Sequence, residues 1–177
     1  MNMEFDEGFT IKMATDEDSR KIIDMLKQVA LWLKEHDINQ WRFLLEGGDD
    51  AEIEQAISNQ ETYMILKDDH LVATFTLLSK PSEWDQHIWG DDVSANSLYL
   101  HRLAVIPTYM KIGLGSMILA WIQNNVRDKD FIKLDCVADN RKLNTFYKNN
   151  NFEFVGVTDG HSKYQKCITK TNKSFNE

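Results

Sequence analysis

Hydrophobic and polar residues alternate along the chain with two different periods. Residues 9–13 (FTIKM) alternate at every second position, which is typical of a strand with one buried face. The next segment begins with a capping-box pattern at Thr15 and Asp18, which predicts the start of a helix. It continues with apolar residues at helical spacing: Ile22, Leu26, Val29, Ala30 and Leu33. The chain therefore begins with a strand followed by a helix.

The central part of the chain predicts a second helix and two strands. Residues 49–59 begin with acidic side chains, which suit the first turn of a helix. Residues 61–67 and 70–79 have the character of strands, and Asp68-Asp69 between them suits a tight hairpin turn. Residues 80–92 (KPSEWDQHIWGDD) interrupt the pattern, and we interpret them as a long polar and aromatic insertion between strands.

The last part of the chain contains two strand-to-helix units in succession. Residues 97–106 form an apolar run that ends at a proline, and a helical pattern begins at Gly113. Residues 131–137 predict another strand, and Leu143, Phe146 and Tyr147 share a helical face after it. Such a succession implies neighbouring parallel strands. Residues 152–157 and 163–168 add the final strands, so the predicted order is β-α-α-β-β-β-α-β-α-β-β, an α/β fold whose central mixed β-sheet is flanked by helices.

Length, charge and hydropathy limit the classes of protein to consider. At 177 residues the chain can form one domain with a core, which we expect at residues 1–168, before a polar tail at 169–177. A net charge of -8 argues against nucleic-acid binding, which needs clustered Lys and Arg, and mildly favours cationic partners. No apolar stretch reaches the roughly 18 residues of a membrane helix. Residues 1–9 lack the order of a signal peptide, so we expect a cytoplasmic protein.

Cysteine and histidine positions argue against a metal site. Cys136 and Cys167 lie in separate strand-like segments without CxxC or Cys/His spacing, so reduced core thiols are expected. The five histidines show no ligand spacing, which argues against a metal hydrolase. No basic helix suited to DNA is visible. The sequence leaves the oligomeric state open, a homodimer included.

Residues 102–116 (RLAVIPTYMKIGLGS) place a strand, a proline and a Gly-x-Gly pair in front of a helix. Free N–H groups and the helix dipole at such a start favour an anion, so a phosphorylated ligand is predicted after Gly113, with Lys111 adding charge. The dinucleotide pattern would need a third glycine where Ile118 stands, and the P-loop Gly-Lys-Ser/Thr is absent. In the alternative interpretation, Gly113 and Gly115 only permit a tight strand-to-helix turn.

The second unit, residues 134–156 (LDCVADNRKLNTFYKNNNFEFVG), changes the balance between these interpretations. With it the chain resembles the GNAT superfamily of N-acetyltransferases, in which a Leu-Ala-Val-like strand precedes an Arg/Gln-x-x-Gly-x-Gly/Ala loop. A second unit then carries Asn-x-x-Ala-x-x-x-Tyr and ends in Gly-Phe. The matching residues, strongest within residues 97–157, are Leu103-Ala104-Val105 for the strand, Met110 to Gly115 for the loop, and Asn140, Leu143 and Tyr147 for the second motif.

Two positions depart from the family pattern. Met110 stands where the family has Arg or Gln, so one polar contact to the pyrophosphate is expected to be missing. Asn151 stands where the family has Gly before Phe152, and Asn is the next-best residue for a left-handed helix end. The first departure bears on cofactor affinity, whereas the second leaves the fold unchanged.

The resemblance implies that acetyl-CoA is the cosubstrate and that no metal is used. Its pantetheine arm would bond the backbone of Leu103 and Val105 between two parallel strands, and its pyrophosphate would lie on the amides of Gly113 to Ser116. The implied cofactor-binding residues are Leu103, Ala104, Val105, Met110, Lys111, Ile112, Gly113, Leu114, Gly115, Ser116, Asn140, Leu143, Phe146 and Tyr147.

The resemblance also implies how protons move in the reaction. Tyr147 would protonate the leaving sulfur, although its helical face is equally typical of a core aromatic. Tyr99, His101 and Leu103 fall on one side of their strand by period two, so His101 is the candidate base for the amine. A strand histidine can instead be structural. Asp135 is another ionisable residue in an apolar strand.

Aromatic and acidic residues suggest an acceptor for a cationic amine. The insertion carries His87, Asp91 and Asp92 beside two tryptophans, and aromatic faces with carboxylates suit an ammonium. These tryptophans can equally anchor loops to the core. We therefore expect acetylation of a small amine-bearing molecule; the alternatives are an acyl-CoA-binding sensor with little transfer activity, or a peptide or protein N-acetyltransferase. The predicted acceptor-binding residues are Trp32, Trp41, Trp84, Trp89 and Tyr99.

Overall fold

A computed structural model of the chain describes residues 3–6, 8–90 and 96–168. Asp91, Asp92 and the predicted tail at 169–177 lie outside the described residues. The described strands are β1 (Met3–Asp6), β2 (Phe9–Met13), β3 (Thr62–Lys67), β4 (His70–Leu78), β5 (Ser97–Val105), β6 (Phe131–Val137), β7 (Glu153–Thr158) and β8 (His161–Cys167). The described α-helices are α1 (Ser19–Glu35), α2 (Asp50–Ser58), α3 (Glu83–Trp89), α4 (Leu114–Asn125) and α5 (Arg141–Asn149).

These strands form one eight-stranded sheet in the order β1-β2-β3-β4-β5-β6-β8-β7. Neighbouring strands are antiparallel except β5 and β6, which run parallel. The connection between β5 and β6 contains α4, as the two successive strand-to-helix units predict. The predicted mixed sheet with flanking helices is confirmed.

Helices cover both faces of the sheet. Consecutive residues of β3 separate the two layers, because Met64 belongs to the hydrophobic cluster under α1 and α2, whereas Ile65 belongs to the cluster under α4. Helix α1 buries one apolar stripe against the sheet: Ile22, Ile23, Met25, Leu26, Val29 and Ala30. The α4 side also contains Tyr147 of α5.

Local signals in the sequence place most element boundaries correctly. The backbone N–H of Thr15 donates to the Asp18 carboxylate at 2.9 Å, and a short 3₁₀ turn there leads into α1. Asp68 and Asp69 both have positive φ, as a two-residue hairpin turn of the right-handed twist requires. Asn151 ends the α5 segment with φ 65°, so the predicted replacement for glycine takes the left-handed conformation.

Two elements differ from the predicted order. The insertion contains helix α3, whose N-terminus is capped because the Ser82 backbone N–H donates to Asp85 at 2.9 Å. Only Asp85 and Ile88 of this helix are buried, so its two turns show no extended apolar period. Strand β1 is a short edge strand paired with β2, and its acidic sequence lacks an apolar alternation. Within the described residues, no helix is long and apolar enough to cross a membrane.

Candidate active site

The two parallel strands of the sheet part from each other. β5 and β6 pair through three positions, from Ser97 with Phe131 to Tyr99 with Lys133. Beyond them, β5 continues beside β4 as far as Val105, and β6 continues beside β8 as far as Val137. The parting strands therefore leave a gap whose walls are two extended backbones, with main-chain groups able to bond an inserted ligand.

A β-bulge at Arg102 redirects the second half of β5. His101 pairs with Thr76 and Ala104 with Thr74, so two residues of β5 oppose one residue of β4. Arg102 has φ 47°, and its guanidinium lies 3.4 Å from the Asp49 carboxylate in front of α2. Burial lowers the pKa of Arg102, and Asp49 opposes that shift.

The bulge corrects one expectation about side-chain directions. Leu103 packs against the α4 cluster, whereas Ala104 belongs to the α1 and α2 cluster. The expectation that Leu103 lies on the same side of the strand as Tyr99 and His101 is therefore wrong, because the extra residue reverses the alternation. Val105 follows Leu103 to the α4 side.

A 3₁₀ turn, Pro107–Ile112, leads from β5 to the start of α4. Met110 packs against the α1 and α2 cluster, whereas Lys111 and Ile112 are exposed. Gly113 is the N-cap of α4 with φ 81°, and no atom lies within 4 Å of the place a Cβ would take. The N–H groups of Leu114, Gly115 and Ser116 belong to the first helical turn, where no intrahelical acceptor exists.

The two glycines of this turn have different roles. Gly113 supplies the left-handed conformation beside open space, which suits an approaching ligand. At Gly115 an added Cβ would lie 3.0 Å from Cζ of Phe146, so this glycine lets α4 and α5 pack closely. The first glycine fits the anion interpretation, and the second fits the packing interpretation.

Helix α5 is fixed to the end of β6 by its asparagines. The Asn140 side chain accepts a hydrogen bond from the Leu143 N–H at 3.1 Å, as predicted for a helix cap. The Asn144 amide donates to the carbonyls of Val137 at 3.1 Å and Asn140 at 2.8 Å. Its side-chain oxygen accepts from the Tyr164 hydroxyl at 2.7 Å. These bonds set the position of α5 relative to the gap.

Tyr147 of α5 is both a core aromatic and an ionisable group beside the gap. It is 6% exposed, and its ring packs against those of Phe146, Phe152 and Tyr164. Burial raises the pKa of Tyr147, and the nearby Cys136 and Asp135 raise it further. Tyr147 is therefore a neutral phenol at physiological pH, and a neutral phenol can donate a proton.

Helix α3 bridges the parting strands on the opposite face. Asp85 of this helix is 1% exposed, and it lies 2.9 Å from Nε2 of His101 on β5. The neighbouring Trp84 reaches β6, where its indole N–H lies 3.2 and 3.1 Å from the two carboxylate oxygens of Asp135. One short helix therefore contacts both walls of the gap through consecutive residues.

A histidine that no sequence pattern indicated lies beside Trp84 and Asp135. His161 of β8 lies with Nδ1 3.0 Å from Asp135, and its ring meets Trp84 edge to face at 4.9 Å. Contact with Asp135 raises the pKa of His161. Only the pairing of β6 with β8 brings these residues together, and a single sequence gives no signal for that register.

The other predicted acceptor residues lie in different surroundings. Trp32 stacks on His36 at 3.9 Å, and Trp41 packs against the α1 and α2 cluster. The Trp89 ring is approached by the ammonium groups of Lys133 at 4.8 Å and Lys163 at 5.6 Å. Tyr99 is buried at the last paired position of β5. Of the five predicted residues, Trp84 is the one that reaches Asp135.

The connection between α1 and α2 also reaches the gap. Gln40 is buried, and its side-chain oxygen accepts a hydrogen bond from the backbone N–H of Val137 at 3.3 Å. Nothing in the local sequence marks this glutamine as buried. Among the described residues, no group of three metal-ligating side chains could hold an ion.

Comparison with known proteins identifies the family. A model of the acetyltransferase (GNAT) family matches residues 28–152. The chain is 39% identical over 166 residues to the uncharacterised N-acetyltransferase YesJ of Bacillus subtilis (strain 168), covering 92% of each. It is 32% identical to a crystallised GNAT-family acetyltransferase from Listeria monocytogenes, with a TM-score of 0.76 over 90% of this chain and 94% of that one.

A more distant structure shares the fold. PaiA N-acetyltransferase from Thermoplasma acidophilum, crystallised in complex with coenzyme A, is 17% identical with a TM-score of 0.70, over 91% of this chain and 99% of that one. The parting strands, the glycine turn and the buried tyrosine agree with the family match. The chain therefore belongs to the acetyltransferase (GNAT) family and is an acetyltransferase that uses acetyl-CoA as cosubstrate.

Proposed function

We propose that this enzyme acetylates the primary amine of a small cationic molecule. The Asp135 carboxylate supports this proposal most directly, because it lies in the part of β6 that no longer pairs with β5. Its partner Trp84 is 39% exposed, so an indole face accompanies the carboxylate. A carboxylate beside an aromatic face is well suited to an ammonium group.

The residues of the glycine turn fit coenzyme A. Three N–H groups without an intrahelical acceptor follow Gly113, the space beside that glycine is open, and Lys111 is exposed nearby. This arrangement suits a diphosphate. Met110 is half-buried and packs against the α1 and α2 cluster, so main-chain donors and Lys111 would bind the diphosphate. When bound, the cosubstrate supplies an activated acetyl thioester.

Residues on the two sides of the gap then have separate roles in the proposed mechanism. Leu103 and Val105 offer main-chain hydrogen bonds from β5, and an N–H near Val105 would stabilise the oxyanion formed by attack on the thioester. Tyr147 would give its phenolic proton to the leaving sulfur. Trp84 and Asp135 would hold the ammonium end of the acceptor on the α3 side.

The acceptor class is tested by measuring thiol release with polyamines, aminoglycosides and peptides. Asp135→Asn should raise KM for a cationic acceptor roughly 10- to 100-fold, because a hydrogen bond to a charged group contributes about 1.5–3 kcal/mol. Asp24→Asn is the matched control, since Asp24 is an exposed carboxylate of α1. Equal use of neutral and cationic acceptors, or an unchanged KM in Asp135→Asn, would refute the cationic acceptor.

An acyl-CoA sensor is the alternative from another class, and the inward position of Met110 favours it. Calorimetry with coenzyme A distinguishes the two functions when combined with the acceptor panel. Tight binding without turnover on any amine would favour the sensor, whereas turnover on a peptide alone would favour a peptide N-acetyltransferase. We also propose a cytoplasmic location, which the free thiols of Cys136 and Cys167 support.

A further inference from the structure

The histidine on β8 has one ring nitrogen close to a carboxylate. Nδ1 of His161 lies 3.0 Å from Asp135. This contact is not aligned as a hydrogen bond, and Nδ1 is buried without a hydrogen-bond partner among the described residues. A carboxylate can only accept, and a lone pair on Nδ1 at this distance would be repelled by it, so the contact favours the tautomer with the proton on Nδ1. In the neutral ring, Nε2 then carries a lone pair. The side chain is 25% exposed, so the ring is accessible from solvent.

Asp135 connects this histidine with the proposed acid. It is the same carboxylate that faces the Trp84 indole and that raises the pKa of Tyr147. Asp135 and Cys136 are consecutive residues of β6, pointing to the α3 face and the α4 face respectively. Strand β6 therefore contacts His161 through Asp135 on one face. On its other face, Cys136 lies in the same cluster as Tyr147.

We propose that Nε2 of His161 is the base that takes a proton from the ammonium group of the acceptor, and that Asp135 is the residue that positions its ring. The proposal rests on the proposed amine acetylation. It assigns His161 to the reaction in preference to His101, which the sequence favoured.

The proposed reaction conserves protons and charge. An ammonium group gives one proton to Nε2, which makes the nitrogen a nucleophile and leaves an imidazolium. The C–N bond forms, the C–S bond breaks, and Tyr147 protonates the sulfur. The attacking nitrogen loses a second proton, which restores the Tyr147 hydroxyl. His161 finally returns its proton to solvent, so one proton is released for each ammonium acetylated.

The remaining histidines near α3 are held differently. Nε2 of His101 faces Asp85, and the same Asp85 oxygen accepts from the Ser82 N–H and hydroxyl at the start of α3. This carboxylate already serves to cap a helix. Nε2 of His87 lies 3.0 Å from Asp159 on the surface, where both side chains are more than half exposed. His161 differs from both: its ring is partly exposed, and the carboxylate that it contacts, Asp135, lies beside the gap.

The charges around His161 decide the sign of its pH dependence. Asp135 on β6 and Asp159 in the turn before β8 both raise its pKa, whereas partial burial lowers it. His87 of α3 is paired with Asp159, and Lys163 follows two residues later on β8. A base must be unprotonated, so kcat should fall as the pH drops through the raised pKa of His161.

The test compares the pH profiles of the wild type with those of four variants: His161→Gln, His101→Gln, His87→Gln and Asp135→Asn. His161→Gln should lower kcat about 10²–10⁴-fold with little change in KM, and the acidic limb of the profile should disappear. Asp135→Asn should move that limb to lower pH, because the carboxylate raises the pKa. Loss of the limb in His101→Gln instead, or a kcat of His161→Gln within about twofold of wild type, would overturn the assignment.

A weakly basic acceptor separates this inference from the proposed function. A fluorinated analogue of the preferred acceptor, whose amine is already neutral at the assay pH, needs no base. The defect of His161→Gln should shrink at least tenfold on that analogue. An equal defect on both acceptors would show that the ring acts structurally, while an enzyme that acetylates no cationic amine would refute the proposed function.

The tautomer of His161 can be measured directly by nuclear magnetic resonance of the imidazole nitrogens in the wild-type protein. This measurement requires neither a folded variant nor turnover. Above its pKa, His161 should show a protonated Nδ1 and an unprotonated Nε2. The reverse tautomer would overturn the proposal, because Nε2 could not then accept a proton.

Discussion

Replacement of Tyr147 by Phe tests whether this side chain acts by packing or by its proton. The ring keeps its contacts with Phe152 and Tyr164 in this variant, because only the oxygen is removed. Among the described residues, no hydrogen bond of the Tyr147 hydroxyl is present, so the replacement leaves no protein group unpaired. We therefore expect the free energy of unfolding to change by less than about 0.5 kcal/mol.

Tyr164→Phe is the matched control from the same cluster. The Tyr164 hydroxyl donates to Asn144 at 2.7 Å, and Tyr164 is fully buried. Its removal leaves an acceptor of Asn144 without a partner, which costs about 1–3 kcal/mol. Both substitutions remove a phenolic oxygen from neighbouring rings. We expect Tyr147→Phe to lose activity and keep its stability, and Tyr164→Phe to lose stability and keep most of its activity.

The measurements are urea unfolding and thiol release at saturating acetyl-CoA. Tyr147→Phe should keep the wild-type unfolding midpoint and lose about 10²–10⁴-fold in kcat, as expected for a missing general acid. Tyr164→Phe should unfold at lower urea and keep kcat within about tenfold of wild type, because it disturbs the support of α5 and not the chemistry. A Tyr147→Phe enzyme with full kcat would refute the role of the phenol as an acid.

Three further predictions concern stability. Arg102→Ala leaves the Asp49 carboxylate without its partner and should lower the free energy of unfolding by about 1–3 kcal/mol in urea titrations. Asn140→Ala removes the α5 cap and should cost about 0.5–2 kcal/mol in the same assay. Burial raises the pKa of Cys136 from 9.0 to about 12, so its contribution to stability is complete below pH 9.0 and is lost as the pH rises toward 12; Cys136→Ala should flatten that decline.

Each of these has a result that would contradict it. A wild-type unfolding midpoint for Arg102→Ala would mean that solvation of Asp49 compensates for the lost ion pair. The same result for Asn140→Ala would assign α5 stability to the Asn144 bonds alone. An equal alkaline decline in Cys136→Ala would attribute that decline to the buried tyrosines, whose pKa values are also raised.

The sequence predicts features whose cause lies within a few residues. Thr15 with Asp18, Asp68 with Asp69, and Asn140 each act through bonds or dihedral angles inside one turn, so their roles are visible in a short window. The glycine turn is predictable for the same reason. The family resemblance extends these local signals to an order of elements, and the sheet confirms that order for most of the chain.

Features that depend on distant partners are not predictable in this way. The bulge at Arg102 breaks the alternation of β5, and Arg102 pairs there with Asp49, which lies 53 residues away. His161 meets Asp135 only because β8 pairs with β6, and helix α3 is held by contacts to two strands. Such contacts arise from tertiary structure, and the periodicity of a single segment carries no trace of them.

The parting of β5 from β6 also links the stability of the fold to ligand binding. The two strands pair only from Ser97 to Tyr99, and a slender thioester in the gap beyond would form main-chain hydrogen bonds with them. At one hundred times its dissociation constant, such a molecule adds about 2.7 kcal/mol to the stability of the folded state. Enzyme with the gap occupied would then unfold less readily than empty enzyme.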